Sequence, residues 1–439
     1  MPTNRRWLRL SGPLWRNRDF LRLWGGQTVS RFGSQVTDLA LPFVAIVVLR
    51  ATTFEVAALG VVDFLPFVLL SLPAGVWVDR LRRRPILIAA DWGRATVLGS
   101  VPIAYALGVL TLGQLFVVGF LTGALTVFFD VSYQSYLPTL VEREQLGDGN
   151  SKLETSSSSA QVAGPGLAGL LVGAIRAPYA IAVDAASFVA SALFMMRIER
   201  VEALPDSSGS PRRMRAEILD GLRYVVRHPL MRPMMIYVAS NNFFTSMIGS
   251  ILLVFAVRHL HLTAATVGLV FSLANIGVLA GALLSTRLVR TFGVGPTLIG
   301  LSAAGGLAWV FVPLASGSVA IPFLVLAQFV FGFCAIATNI TGITLLQAIT
   351  PDRMLGRMNA SRRFVVWGVI PFGGLAGGAL GSSIGLRPTL WLGAVGASVT
   401  FIPMLLSPVR RVMRQTDAEE MVRAVNDDFV AATAPSSAV

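Results

Sequence analysis

The chain has 439 residues, of which 54% are hydrophobic and 13% are charged, and its mean hydropathy is +0.68. A soluble protein carries charge at about a quarter of its positions, so the composition excludes an ordinary soluble protein and indicates a lipid environment. One cysteine (Cys334) and three histidines exclude an internal disulfide and a cysteine metal cluster. No metal or other cofactor is therefore expected.

Apolar runs of about 20 residues recur along the whole chain, each long enough to cross about 30 Å of hydrocarbon as a helix. Backbone groups in lipid must be satisfied within their own segment, so helices are required. The sequence predicts an all-α polytopic membrane protein. Its twelve predicted spans are 22–48, 55–78, 86–109, 113–135, 155–175, 179–197, 234–257, 264–286, 295–315, 318–345, 363–385 and 388–407.

The first predicted helix carries a polar stripe on one face. Gln27, Arg31, Ser34, Gln35 and Asp38 follow spacings of four, three, one and three residues, which fit one face of an α-helix. A polar stripe on a spanning helix must face protein or water. Its residues are candidates for a substrate cavity or, alternatively, for hydrogen bonds between helices.

The loop after the second predicted helix, "GVWVDRLRRR" (75–84), is unusually charged. A glycine at position 75 would let another backbone approach, and the carboxylate of Asp79 could accept from the amides at the start of a neighbouring helix. Gly75, Asp79, Arg80 and Arg83 are therefore candidates for a conformational latch. Alternatively, the arginines hold the loop on the cytoplasmic side, and Asp79 offsets their charge.

Polar residues also mark the fourth, seventh and tenth predicted helices, whereas the third, ninth and twelfth are plainer. Such residues are further candidates for one partly polar cavity, although hydrogen bonds between helices would explain each of them equally well. The candidates on these three helices are Thr126 and Tyr133, then Asn241 and Asn242, then Gln328 and Asn339.

The fifth predicted helix contains "SSSSAQVAGPGLAG", with small residues at every fourth position. Pro165 removes a backbone donor and bends the helix. Gly164, Pro165 and Gly169 therefore predict a kinked face that packs closely on a neighbour, which is also compatible with ordinary small-residue packing in membranes.

The two halves of the chain resemble each other. Gly147 and Asn150 match Gly356 and Asn359 at the same offset, and each pair precedes a Gly- and Pro-rich helix. A charged segment with a short amphipathic helix separates the halves. The predicted organisation is an N-terminal segment 1–21, a six-helix bundle 22–197, a linker 198–233, a second bundle 234–407 and a partly disordered tail 408–439.

These motifs resemble the major facilitator superfamily over about residues 20–410. The loop 75–84 resembles its signature loop, with Arg82 where glycine is usual, and "YLPTLVEREQLGDGNS" is similar to the macrolide-efflux and enterobactin-exporter branch. The resemblance implies that helices 1, 4, 7 and 10 line the cavity. It also implies that Asp79 latches onto helix 11 near Ser361, and that the Gly-Pro row of helix 5 marks an antiporter.

Acidic residues inside the predicted spans are candidates for coupling transport to an ion gradient. At about 1.5 Å per residue, Asp38 and Asp63 lie at similar depths on neighbouring helices, whereas Asp130 lies nearer the inner face and Asp184 nearer the outer, wetter face. Asp38, Asp63 and Asp130 are the predicted proton-coupling residues. Alternatively, Asp38 pairs with Arg31 and Asp63 is a structural acid.

Arginines concentrate in the loops on one side of the twelve spans, which by the positive-inside rule places both termini in the cytoplasm. The sequence predicts a monomeric, proton-coupled exporter of bulky, largely apolar small molecules (drugs or secondary metabolites) in the cell membrane. Nucleic acid is not an expected partner. Alternatives are a siderophore or lysolipid transporter and a non-transporting sensor. No nucleotide loop or HExxH motif supports an enzyme.

Overall fold

The computed structural model describes residues 13–78, 80–200, 202, 223, 226 and 228–432, and over these residues it is helical without strands. Twelve of its helices are long and apolar enough to cross a membrane. The predicted fold class is confirmed. The helices of the first half are α1 (Arg18–Phe43), α2 (Thr53–Val78), α3 (Arg83–Ala106), α4 (Leu112–Leu140), α5 (Leu146–Ile175) and α6 (Ala177–Met196).

The second half begins again after the linker and ends in a helix that the sequence did not predict. Its helices are α7 (Met231–Val254), α8 (Ala264–Phe292), α9 (Val294–Ala308), α10 (Ala320–Ile349), α11 (Asp352–Gly368), α12 (Ile370–Ser383), α13 (Leu386–Val399) and α14 (Gln415–Ala432). The eleventh apolar span, Val365–Ser383, joins the end of α11 to α12.

Matching backbone details confirm the internal repeat. A π-helical turn ends α1 at Val44–Val48, and another ends α7 at Phe255–His259. Each turn is followed by a residue with φ of 53°, Arg50 in the first half and His261 in the second. Two helices of different sequence therefore end by the same backbone path.

The chain forms two compact units. They differ from the two halves of the sequence because, in each half, the start of one helix belongs to the other unit. The first unit contains residues up to 51, 62–209 and 263–272, and the second contains 52–61, 210–262 and the chain from 273 onward. The start of α2 thus belongs to the second unit, and the start of α8 belongs to the first.

In the first unit, α1 packs against α5 and α6, while α3 packs against α4 and α6. Phe20 and Leu23 of α1 meet Leu87 of α3, Phe129 of α4 and Met195 of α6 in one buried cluster. This core fixes the polar face of α1 relative to α4 and α5.

In the second unit, the tail packs as part of the fold. Ala418 and Val422, one turn apart on α14, are fully buried in the core cluster of this unit. The segment 408–414, which precedes α14, runs against the start of α9. A Cβ on Gly295 of α9 would overlap the carbonyl of Val409 in this segment. A close backbone contact at this glycine therefore ties the tail to α9.

The start of the predicted linker 198–233 is tied to the first unit by carboxylates. Asp19 accepts from the backbone N–H groups of Glu199 and Arg200. Glu202 accepts from the backbone N–H of Arg83 at 2.7 Å and from its guanidinium at 3.0 Å. Glu202 therefore caps α3. The predicted amphipathic helix of the linker falls largely outside the described residues.

His228 caps the other end of the linker, at the start of α7. Its Nδ1 accepts from the backbone N–H groups of Leu230 and Met231, each at 3.2 Å, and the side chain is fully buried. Burial lowers the pKa of His228 from 6.5 to about 4. The proton of the neutral ring is therefore on Nε2, and protonation of Nδ1 would set N–H against N–H.

The second unit is therefore expected to lose stability on acidification. Because the folded pKa of His228 is depressed, its contribution is complete above pH 6.5 and is lost as the pH falls towards 4. Between pH 7.5 and pH 5 the loss is about 2 kcal/mol. Thermal unfolding of purified protein in a fixed detergent measures it. His228→Asn keeps an acceptor for the helix start, so this loss should shrink, whereas His259→Asn on the surface should leave it unchanged. A wild type that is equally stable at both pH values contradicts the expectation.

Candidate functional site

The first unit contains a polar cavity of about 600 Å³ between α1, α4 and α5. Three predicted cavity residues line it, namely Gln27, Arg31 and Tyr133, together with the predicted coupling residue Asp130. Sequence reasoning missed the contribution of α5, which supplies Glu154 and Ser156. The cavity is large enough for a drug-sized molecule.

Two of the lining residues of this cavity form an ion pair. Arg31 Nη2 lies 3.3 Å from Asp130 Oδ1, and both side chains are partly exposed. Gln27 is buried, and its Nε2 has no partner among the described residues. The pairing of Arg31 with Asp130 differs from the alternative in which Arg31 pairs with Asp38. It leaves Glu154 as a second acid in the lining, so the cavity favours neutral or basic groups over anions.

The C-terminal residues of the α1 stripe, Gln35 and Asp38, form a second polar group. Gln35 Nε2 donates to Asp38 Oδ2 at 3.2 Å, and Asp38 is exposed. The charge of Asp38 acts on both Asp63 of α2 and Asp184 of α6. The charge of Asp38 thus reaches carboxyl groups on two other helices.

Asp184 does not lie in the wet outer region that its position suggested. It is 1% exposed, and it accepts from the hydroxyls of Thr37, at 2.5 Å, and Ser187, at 2.9 Å. A Cβ on Gly33 would overlap Ser187 and crowd Asp184. The expectation for Asp184 was therefore wrong, because Gly33 leaves room on α1 for a buried carboxyl.

Asp91 and Arg94 form a buried pair beside this group. Arg94 Nη2 lies 2.5 Å from Asp91 Oδ1, and the two residues are 4% and 0% exposed, respectively. The Arg94 guanidinium lies between the rings of Phe129 and Phe188, 4.3 and 4.1 Å from their centroids. This arrangement joins α3, α4 and α6 through one cation and two aromatic faces.

The second unit has its own, smaller cavity of about 190 Å³, lined mainly by α7 and α10. Asn241, Asn242 and Asn339, all predicted cavity residues, line it, and Asn242 Nδ2 donates to the carbonyl of Val366 at 2.9 Å. Thr338 and Arg362 add a hydroxyl and a cation. The described lining residues of the two cavities do not include the predicted Gln35, Thr126 and Gln328.

Of the predicted latch, only part can be placed. Asp79 lies outside the described residues. Arg80 is exposed, whereas Arg83 is paired with Glu202 at 3.0 Å. No described atom lies within 4 Å of where a Cβ on Gly75 would stand. The latch and the close approach at Gly75 stay predictions.

The predicted motif of helix 5 makes close contacts within the first unit. A Cβ on Gly164 would overlap the side chain of Gln35, and one on Gly169 would overlap the backbone carbonyl of Ala264 at the start of α8. Pro165 is buried inside α5. The small residues therefore admit both the α1 stripe and a second helix, as small-residue packing in membranes requires.

Comparison with known proteins identifies the family. The model of MFS_3, described as a transmembrane secretion effector, matches residues 11–433. The chain belongs to this family. It is a multi-pass membrane protein of the major facilitator type, and the resemblance seen in its motifs is confirmed.

Its relatives include efflux transporters. The multidrug efflux pump Tap of Mycolicibacterium fortuitum is 25% identical over 85% of this chain and 93% of its own length. Macrolide efflux protein A of Streptococcus pyogenes is 26% identical over 43% of this chain and 46% of its own. The enterobactin exporter EntS of Salmonella typhi is 24% identical over 74% of this chain and 73% of its own length. These matches support an efflux-type transporter.

A solved structure supports the fold. A bacterial homologue of the iron transporter ferroportin, in its inward-facing state, matches 90% of this chain and 99% of its own, with a TM-score of 0.73 and 15% identity. At that identity the likeness concerns the fold alone.

Proposed function

We propose that this protein is a secondary active transporter that exports bulky, largely apolar small molecules across the cell membrane. The observation that carries the proposal is the 600 Å³ cavity of the first unit, where Arg31, Asp130 and Glu154 meet apolar and hydroxyl groups inside a membrane-spanning bundle. Efflux pumps among the relatives support the direction of transport. Both termini would lie in the cytoplasm, and the protein would act as a monomer without enzymatic activity.

The proposed energy source is proton antiport with alternating access. The charge of Asp38 on α1 acts on Asp63 of α2, and Asp130 lines the cavity itself. A carboxyl group that meets each side of the membrane in turn can carry a proton against the substrate. The antiporter interpretation of helix 5 rests on the resemblance of its Gly-Pro row to the superfamily's motif.

A siderophore or lysolipid substrate is the second candidate. It is favoured by Arg362, a cation in the lining of the second cavity. In the first cavity it is disfavoured, because Arg31 is already paired with Asp130.

A susceptibility panel in an efflux-deficient bacterial host tests the proposal. Cells that express the wild type should tolerate at least one class of bulky apolar compound at a clearly higher concentration than cells that carry an empty vector. Asp79→Asn should remove that tolerance while the protein stays folded in the membrane. Asp148→Asn, which changes an exposed acid paired with Lys152 on α5, is the matched control. Unchanged susceptibility to every compound would count against export.

A further inference from the structure

Thr338 of α10 has a buried hydroxyl without a hydrogen-bond partner among the described residues. The residue is 8% exposed, and its Oγ1 has no partner among the described residues. Thr341 and Thr344 on the same helix each donate to the carbonyl four residues earlier, at 2.8 Å. Because Thr338 lines the cavity of the second unit, its hydroxyl is available to a molecule in that cavity. Burying it without a partner costs stability.

The charge of the same cavity is one-sided. Arg362 is half-buried in the lining, and none of the described lining residues is acidic. Burial lowers the pKa of Arg362, and the charge of Arg363 lowers it further. A carboxylate near Arg362 would relieve both effects, whereas an ammonium group would add a third repulsion.

The rest of the lining combines polar asparagines with adaptable apolar side chains. Met234, Met235 and Met404 line it with flexible thioethers, and Phe331 adds a ring. Its volume of about 190 Å³ is below the roughly 300 Å³ at which drug-sized pockets begin. It therefore fits a short amphiphile or one end of a larger molecule. Methionine side chains adapt to differently shaped apolar groups.

We propose that the cavity of the second unit binds the anionic, oxygen-bearing end of an amphiphile, with Thr338 and Arg362 as the residues that determine specificity. The hydroxyl of Thr338 and the guanidinium of Arg362 donate to the acceptor oxygens, and the methionines cover the adjoining carbon chain. That this amphiphile is a transported substrate rests on the proposed export function. The binding itself does not.

Three eight-carbon probes that differ only in the head group test the proposal: octanoate, octan-1-ol and octylammonium. Ala335 lines the cavity and is partly exposed, so Ala335→Cys in a Cys334→Ser background gives one reactive thiol there. The full chain is purified into nanodiscs of neutral lipid, and the rate of thiol alkylation by N-ethylmaleimide is measured. Octanoate should slow alkylation at the lowest concentration, octan-1-ol should act more weakly, and octylammonium should have no effect in the same range.

Two variants and two matched controls complete the test. Thr338→Val and Arg362→Gln should each raise the octanoate concentration for half-protection about tenfold, as expected for one lost hydrogen bond to a charged group. Thr341→Val should leave it unchanged, and so should Arg287→Gln, which changes an exposed arginine of α8 outside the lining. If Thr338→Val does not fold, Arg362→Gln and the head-group series on the parent protein decide. Equal protection by octylammonium, or unchanged protection in the variants that fold, overturns the proposal.

The assay needs no gradient, so the two proposals can fail separately. Octanoate protection in a protein that moves no compound across vesicle membranes would keep the binding site and remove export. Export without selective protection by octanoate would keep the proposed function and remove this site.

Discussion

The Asp38→Asn variant is expected to lose proton-driven efflux by roughly tenfold or more, since couplings between sites are typically worth 5–150-fold. Substrate exchange without a gradient should survive. Asp38 is exposed on the polar face of α1, and its charge acts on Asp63 and Asp184. An asparagine keeps the shape and can still bond to Gln35, but it cannot bind and release a proton. Efflux and counterflow exchange of one probe in the same proteoliposomes measure the two activities.

Asp63→Asn should show the same separation of efflux from exchange, because the charge of Asp38 acts on Asp63. Asp148→Asn is the control, since that exposed acid pairs with Lys152 on α5 and is not among the lining residues of the cavity. If Asp38→Asn and Asp63→Asn both keep wild-type efflux that an uncoupler abolishes, the coupling site lies elsewhere, and Asp130 is the next candidate.

The Arg94→Met variant is expected to lower the stability of the purified protein by about 3–5 kcal/mol, the usual cost of removing one partner of a buried ion pair. Asp91, which is 0% exposed, would lose the counter-ion that lies 2.5 Å from its carboxylate in the wild type. The rings of Phe129 and Phe188 would also lose the cation between them. Unfolding in a fixed detergent, followed by tryptophan fluorescence, measures the loss.

Two further variants separate charge from packing at this pair. Asp91→Leu combined with Arg94→Met removes both charges and should recover part of the stability, because a well-packed apolar pair can replace a buried ion pair. Arg31→Met removes the partly exposed partner of Asp130 and should cost at most about 1 kcal/mol. An Arg94→Met protein as stable as the wild type would show that the pair does not hold α3, α4 and α6 together.

The helices could be predicted from the sequence because lipid leaves the backbone no other choice. Each long apolar run became a helix, and matching motifs in the two halves became matching backbone turns, as at Val44–Val48 and Phe255–His259. The helix α14 was missed because polar and acidic residues interrupt its apolar ones. Among its residues up to Arg423, whose burial is described, Ala418 and Val422, one turn apart, are the buried ones.

The candidate site could be predicted only in part. The stripe of α1 pointed to Gln27 and Arg31 because its spacing defines one helix face. The partner of Arg31 depends on how α4 lies against α1, which no spacing within one helix reveals. Asp184 was misplaced for a related reason, since the room that Gly33 leaves becomes visible only when α1 and α6 are packed together.

If a proton gradient drives export through this protein, flux in inside-out membrane vesicles should show it. A fluorescent, bulky apolar compound that conferred a phenotype in the susceptibility panel is the probe, and vesicles with an empty vector are the control. The compound should accumulate in the vesicles when an acid interior is imposed without ATP, and protons should leave the vesicles at the same time. Asp38→Asn should abolish this proton release. Accumulation that persists after an uncoupler collapses the gradient, or that moves no protons, would contradict it.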